Sequence, residues 1–222
     1  MKISRVKQAY LEKESYLSNL YRENKLSLYQ SQIFFRIFKH ENVLELWARK
    51  TAADTFVLIK QYPVCYASGT LGPKRKEGDM QVPEGFYKIN HFNPNSAFHL
   101  SLCINYPNSS DRILSDPKTP GGDMYIHGSC VSIGCLAMTD DKIKELYIAA
   151  VEAVNNGQKT IWCHIFPYKM NSANHKAMQE KYRDHVALIN FWTNLKTGYD
   201  YFERSKRIPK VSVDVTGKYM FN

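Results

Sequence analysis

Apolar positions recur at two different spacings, and the change of period divides the chain. Residues 4–25 carry a thin helical stripe, Tyr10, Leu17, Leu20 and Tyr21, on a polar background, which predicts an amphipathic helix docked on a larger body. From Gln32 the period becomes two. The runs QIFFRIFK, NVLELWARK and TFVLIKQYPVCYA alternate apolar with polar residues, as successive antiparallel strands do. His40-Glu41-Asn42 suits a hairpin turn between the first two. The Gly-, Pro- and charge-rich segment SGTLGPKRKEGDMQVPEGFYKI reads as a long exposed loop leading into a strand at 86–90. AFHLSLCINY (97–106) alternates again, PNSSDRILSDPKTPGGD reads as a second loop, and MYIHG (124–128) ends a short strand.

Helical spacing returns after Thr139, an N-cap residue followed by two acids that complement the helix dipole. Ile143, Leu146, Tyr147, Ala150, Val151 and Val154 form the stripe, and Gly157 is a natural stop. KTIWCHIFP (159–167) reads as a strand closed by proline, residues 174–196 as one amphipathic helix, and VSVDV as a late strand. This order predicts an α+β fold, mainly antiparallel β with flanking helices. The expected organisation is an N-terminal helical segment, 1–28, docked on a catalytic-size domain, 29–222. Nothing in the pattern suggests more than one copy, and a monomer is expected.

Composition narrows the picture only slightly. A formal charge of +9 favours polyanionic or acidic partners. No nucleic-acid motif accompanies it, so nucleic acid is not the expected partner, whereas bacterial cell wall carries suitable carboxylates and phosphates. The Lys74–Lys76 run reads as a solvated loop. With 15 tyrosines and 13% aromatic residues the chain can fill β cores, and Trp47, Trp162 and Trp192 read as core. Five cysteines leave at least one thiol free. No apolar run is long enough for a transmembrane segment. The start, MKISRVKQAYLEKESY, lacks the apolar core of a secretory leader.

The densest chemistry lies in IHGSCVSIGCLAMTD, residues 126–140. Three readings compete. His127, Cys130 and Cys135, with Cys163 or His164, could form a metal knuckle, although H-x2-C-x4-C matches no common finger. Cys130 and Cys135 could pair as a disulfide, or Cys130 could be a small buried hydrophobe. Alternatively, Cys135 is a nucleophile: Gly134 allows a tight approach, a nearby imidazole can take the thiol proton, and local amides can hold an oxyanion. Ser132 would then orient the imidazole. Cys65, Cys103 and Cys163 read as buried fillers, and His99 and His164 as residues within alternating strands.

The combination HG followed by S-x-G-C resembles the signature of the L,D-transpeptidase catalytic domain family, also called the YkuD domain, and is most similar to its YafK-type branch. The resemblance extends through EGDMQVPEGFYKI, NPNSAFHLSLCINYPNSSDRI, MYIHGSCVSIGCLAMTD and WCHIFPYKM, in order, over roughly residues 30–205. It implies a β-sandwich-like catalytic domain in which Cys135 is the nucleophile, His127 its activating histidine and Ser132 the family serine. Gly134 and Cys135 would form the oxyanion hole. Pro83 and Gly85 fall in a T-P-x-G motif whose threonine is Val82 here, and Pro83, Gly85, His99 and His164 are candidate groove residues. Ala137 stands where the wider family has arginine.

The implied substrate is the peptidoglycan stem peptide, attacked at the meso-diaminopimelate carbonyl through a thioester, with hydrolysis that releases wall-linked lipoprotein or a stem-peptide fragment. Transpeptidation is the alternative within the family, and a non-catalytic basic wall-binding module the alternative outside it. No metal or organic cofactor is required by this chemistry. Such an enzyme is expected to be exported, periplasmic or facing the wall, its leader removed.

Overall fold

The computed structural model describes residues 3–222; positions 1 and 2, the start of the expected 1–28 segment, lie outside the described residues. The first helix, α1 (Arg5–Glu23), begins at Ser4, whose hydroxyl accepts from the Lys7 amide. Ala9, Leu17 and Tyr21 face inward, where α1 packs along α3 (Asp140–Asn155). Thr139 caps α3 as the sequence predicts, accepting from the Lys142 amide, with Asp140 and Asp141 in the first turn.

The remaining frame is a nine-stranded, mostly antiparallel sheet. Its strands in chain order are β1 (Gln32–Phe38), β2 (Val43–Arg49), β3 (Val57–Pro63), β4 (Tyr66–Ala67), β5 (Gly85–Asn93), β6 (Ser101–Ile104), β7 (Tyr125–His127), β8 (Leu136–Ala137) and β9 (Trp162–Phe166). In space they run β3-β2-β1-β9-β5-β6-β7-β8-β4. Two pairs, β1–β9 and β7–β8, are parallel. The first half of β5 pairs with β9 and the second half with β6. The irregularity between Ile89 and His91 falls where it changes partner, so the sheet turns there, as bulged strands do. The result is the expected α+β fold.

Strict alternation fails in β1 and β2, which are buried on both faces. Ile33, Phe35 and Ile37 join the core beneath α1 and α3, while Phe34 and Phe38 face two further aromatic clusters. Arg36, 4% exposed, sits on that second face, bonded to Glu45 and Glu203 and overlaid on the rings of Phe38, Trp47, Tyr199 and Phe202. A paired guanidinium can be buried in that way, and a polar position in a strand therefore did not mean solvent.

Three other expectations change. The predicted single helix over 174–196 is two helices, α4 (Ser172–Lys181) and α5 (Val186–Ser205). Apolar spacing continues across the break at Tyr182–His185 because Tyr182 and Trp192 meet edge to face over it. The loop after Pro107 contains α2 (Ser109–Leu114), started by a capping box between Asn108 and Asp111. Last, β10 (Val211–Val213) returns as a hairpin with β11 (Tyr219–Phe221). Gly198 of α5 lies where a Cβ would meet Phe86 and Phe221 at 2.5 Å, so the glycine permits the close approach of helix and sheet.

Trp47 and Trp192 are core residues, and Trp162 packs partly buried beside Phe34 and Phe202. Among the described residues no helix is long and apolar enough to cross a membrane.

Candidate active site

The short parallel pairing of β7 with β8 sets the geometry. Ile126 lies opposite Leu136, both in the main core, and His127 lies opposite Ala137. Alternation turns His127 and Ala137 to the other side of the ribbon, while Cys135 precedes β8 in the bend after Gly134 and packs half-buried against the margin of the main core. Strand spacing and rise per residue put the Cα atoms of His127 and Cys135 about 8 Å apart. The Cys135 Sγ accepts from the Tyr125 amide at 3.4 Å and donates toward the Asp123 carbonyl at 3.7 Å. His127 is 2% exposed, and its Nδ1 pairs with the Gly128 carbonyl at 2.6 Å. That bond makes Nδ1 the protonated nitrogen of a neutral ring and leaves Nε2 as the basic one.

Burial pushes the Cys135 thiol above its ordinary value. The Tyr125 amide and, through space, Lys74 pull it down, and Asp123 raises it. Burial also lowers His127, opposed by the Gly128 bond. Both shifts favour the neutral forms, so the resting pair is thiol and imidazole rather than thiolate and imidazolium. This differs from the imidazolium-stabilised thiolate that proximity alone suggests.

Ser132 does not orient the imidazole. Its hydroxyl donates to the Cys135 carbonyl at 2.8 Å and closes the loop on itself, and the acceptor at Nδ1 is the backbone of Gly128. Gly134 has φ +117°, which L residues rarely adopt, and its nearest neighbours would be Met124 and the Gln81 carbonyl at 3.6 and 3.7 Å. Conformation, not space, calls for glycine there. The long loop over residues 68–84 thus borders Gly134.

That loop is solvated only in part. Lys39, 8% exposed, donates to the carbonyls of Gly72 and Val82 and pairs with Glu84. Glu84 in turn accepts from the Gly72 amide and the Trp192 indole. Within the KRK run, Lys74 is 5% exposed and bonded to Asp79, and Arg75 bonds Asp111. The reading of this run as a solvated stretch is therefore corrected: each of its first two charges has an internal acid that a residue count cannot reveal. Lys74 is also the cation that acts on Cys135, a contribution the sequence reading missed.

The four groove candidates separate. Pro83 and Gly85 are buried; a Cβ on Gly85 would collide with the Tyr219 hydroxyl, so this glycine admits the C-terminal hairpin behind the loop. His164 is 1% exposed among Phe34, Phe86 and Phe166, with both ring nitrogens unpartnered, and burial lowers it to about 3. It is not brought to the Cys135 loop. His99 does reach the site, but from a bend ahead of β6 at φ +69°, not from within a strand. Its Nδ1 lies 4.0 Å from Asp140. Burial lowers its imidazole, opposed by Asp140.

Cys65 is not a filler. It forms a disulfide with Cys130, 65 positions away, leaving Cys103, Cys135 and Cys163 as free thiols. The pairing removes Cys130 from the metal knuckle and from any bond with Cys135. It ties the loop between His127 and Cys135 to the residue before β4, whose amide already bonds the Ala137 carbonyl. Closing a loop of this length should stabilise the fold by about 2–4 kcal/mol. Accordingly, dithiothreitol should lower the melting temperature of the native chain but not of a Cys65→Ser/Cys130→Ser variant. Thiol titration of the unfolded protein should rise from three to five on reduction. Equal counts before and after reduction would exclude the bond.

A free thiol just before β8, an imidazole at the end of its neighbour β7 and amides beside a glycine turn can together carry acyl transfer. The family profile described as the L,D-transpeptidase catalytic domain (YkuD) matches residues 37–161. The chain is 38% identical over 201 residues to the Escherichia coli K12 protein named "Putative L,D-transpeptidase YafK", covering 90% of this chain and 77% of that one, and equally to its O157:H7 counterpart. Among solved structures, that of the helical cell shape determining protein Pgp2 of Campylobacter jejuni superposes with a TM-score of 0.50 at 19% identity. The match covers 78% of this chain and 60% of that chain. At that identity the likeness concerns the fold.

Proposed function

The chain belongs to the L,D-transpeptidase catalytic domain (YkuD) family, a cysteine-dependent enzyme family of peptidoglycan, and from that membership we propose that it hydrolyses an amide at the meso-diaminopimelate carbonyl. The reading is supported chiefly by one observation: His127 pairs with Ala137, two residues after Cys135, whose Sγ accepts from the Tyr125 amide two residues before His127. In this reading Nε2 of His127 takes the thiol proton as Sγ attacks the carbonyl carbon. The amides at Gly134 and Cys135 hold the oxyanion, and the imidazolium returns the proton to the leaving amine. A thioester remains. Water, deprotonated by the same imidazole, then releases the carboxylate and restores the thiol.

Two features favour water over a second amine. Ala137, fully buried, sits between Tyr66 and His127 in the sheet where the wider family carries arginine, so that strand offers no cation to clamp an acceptor carboxylate. The segments bordering Cys135 also expose Tyr66, Met80, Phe98, Val131 and Ile133, the last at 83%. An apolar rim suits a polypeptide leaving group better than a second, strongly acidic stem peptide. The substrates of this reading are stem peptides bearing peptide or lipoprotein, on the wall side of the inner membrane.

The test is mass spectrometry of sacculi carrying amide-linked peptide, digested in H2¹⁸O by the native protein and by Cys135→Ala. Hydrolysis places one ¹⁸O in the new diaminopimelate carboxylate. Transpeptidation gives unlabelled cross-links instead. Identical products from the two proteins would remove the enzymatic reading and favour a binding module.

A further inference from the structure

An aromatic side chain from outside its own ribbon lies against the His127 imidazole. Phe98 lies with its ring 4.8 Å from the imidazole, tilted by 35°. It is 43% exposed and belongs to none of the hydrophobic core clusters. The turn that carries it is tightly placed. A Cβ on Gly128, the residue after the histidine, would meet the Phe98 carbonyl at 2.9 Å and the His99 Cβ at 3.0 Å. The Phe98 amide bonds the Ser96 hydroxyl at 3.1 Å, and the following residue, His99, takes a left-handed conformation, uncommon for any residue but glycine. The holding group comes from the opposite end of the chain. Arg5, the first residue of α1, donates NH1 to the carbonyls of both Ser96 and His99, the latter at 2.6 Å. The guanidinium thereby bridges both ends of the 96–99 turn.

We propose that Arg5 is a positioning residue and Phe98 the cover it positions: α1 fixes the turn, the turn lays the ring on the imidazole, and that face of the imidazole is shielded from water. The inference rests on the reading of His127 as the proton carrier for Cys135, and it makes the N-terminal helix part of the site although that helix lies outside residues 37–161. A ring laid on one face excludes water there and leaves the edge nitrogens free, which suits a base that must remain unprotonated near neutrality. The charged and titratable groups around His127 are Cys135 across the ribbon, Cys103 and Tyr125 on the same sheet face, His99 and Asp140 behind Gly128, and Arg5 beyond the turn.

The test is an NMR titration of the His127 ring in a Cys135→Ala background, with Phe98→Ala, Phe98→Leu, Arg5→Ala and Arg5→Lys added singly. Phe98→Ala should abolish the ring-current shift of the His127 carbon-bound protons and raise the imidazole midpoint toward 6.5. Phe98→Leu should lose the shift but keep most of the lowered midpoint. Arg5→Ala should move both readouts part of the way, and Arg5→Lys, which keeps the charge and one donor, should recover most of that change. A simple loss of charge would shift the midpoint and leave the ring-current shift intact. In native Cys135, Arg5→Ala should cost about tenfold in kcat with KM little changed. Unchanged His127 shifts in Phe98→Ala, or in Arg5→Ala of unaltered melting temperature, would overturn the proposal. Because the titration uses no wall substrate, its outcome is separate from that of the hydrolase reading.

Discussion

Cys135→Ala is expected to lower kcat/KM by at least about 10³-fold while leaving the fold and the affinity for wall peptide in place, equivalent to about 4 kcal/mol of transition-state stabilisation. The size follows from the chemistry: without sulfur no thioester forms, and the residual rate is only what bound geometry and amide dipoles give to direct attack by water. The modest structural cost follows from the surroundings. The thiol makes two weak hydrogen bonds, to the Tyr125 amide and the Asp123 carbonyl, and stands half-buried at the margin of the core, so alanine should cost about 1 kcal/mol in stability. Cys103 provides the control. It faces the same side of the sheet, but burial raises its thiol to about 11, and Cys103→Ala should retain most activity. Muropeptide release with equilibrium binding, measured for both variants, decides the matter. A Cys135→Ala protein that turns over at near-native rate would dismiss the nucleophile assignment.

How much of this could be read from the chain depends on whether a signal is local. The cap at Thr139, the strand ending at His127 and the hairpin at His40–Asn42 are written within a few residues of where they act, and they stand where the pattern put them. The family assignment likewise rests on short blocks in order. Pairings across long separations have no such signature. Cys65 meets Cys130, Arg5 meets Ser96 and His99, and Glu84 meets Trp192 because the sheet brings them together. Periodicity also failed where a charge is buried with its partner. Arg36, Lys39 and Lys74 each look like solvent-facing positions, and each is held inside by an acid: Arg36 by Glu45 and Glu203, Lys39 by Glu84, and Lys74 by Asp79 of its own loop. In the same way, the His99 bend was hidden by a run that alternates apolar and polar residues across it.

His127→Gln is expected to reduce kcat/KM by about 10²- to 10⁴-fold and, more tellingly, to change the pH profile. In the native protein burial holds the imidazole below 6.5 and the Cys135 thiol above 9.0. As pH rises through the lowered histidine value the base is freed, so kcat/KM should ascend with a midpoint below 6.5 and then stay level until the thiol itself ionises above 9. Iodoacetamide should therefore label Cys135 slowly at pH 7 and faster as pH climbs past 9, since the resting thiol keeps its proton. Glutamine can donate and accept hydrogen bonds but cannot carry the proton. The ascending limb below 6.5 should vanish from the variant, and its residual rate should follow thiol ionisation alone, gaining about tenfold per pH unit until the thiol value is reached. Rapid alkylation of the native protein between pH 5 and 7 would instead demonstrate a resting thiolate–imidazolium pair and contradict the neutral assignment. A neutral pair waits for the substrate carbonyl before it separates charge, and a loop closed by Ser132 on the Cys135 carbonyl, tied through Cys130 and flanked by Phe98 keeps water from doing so first.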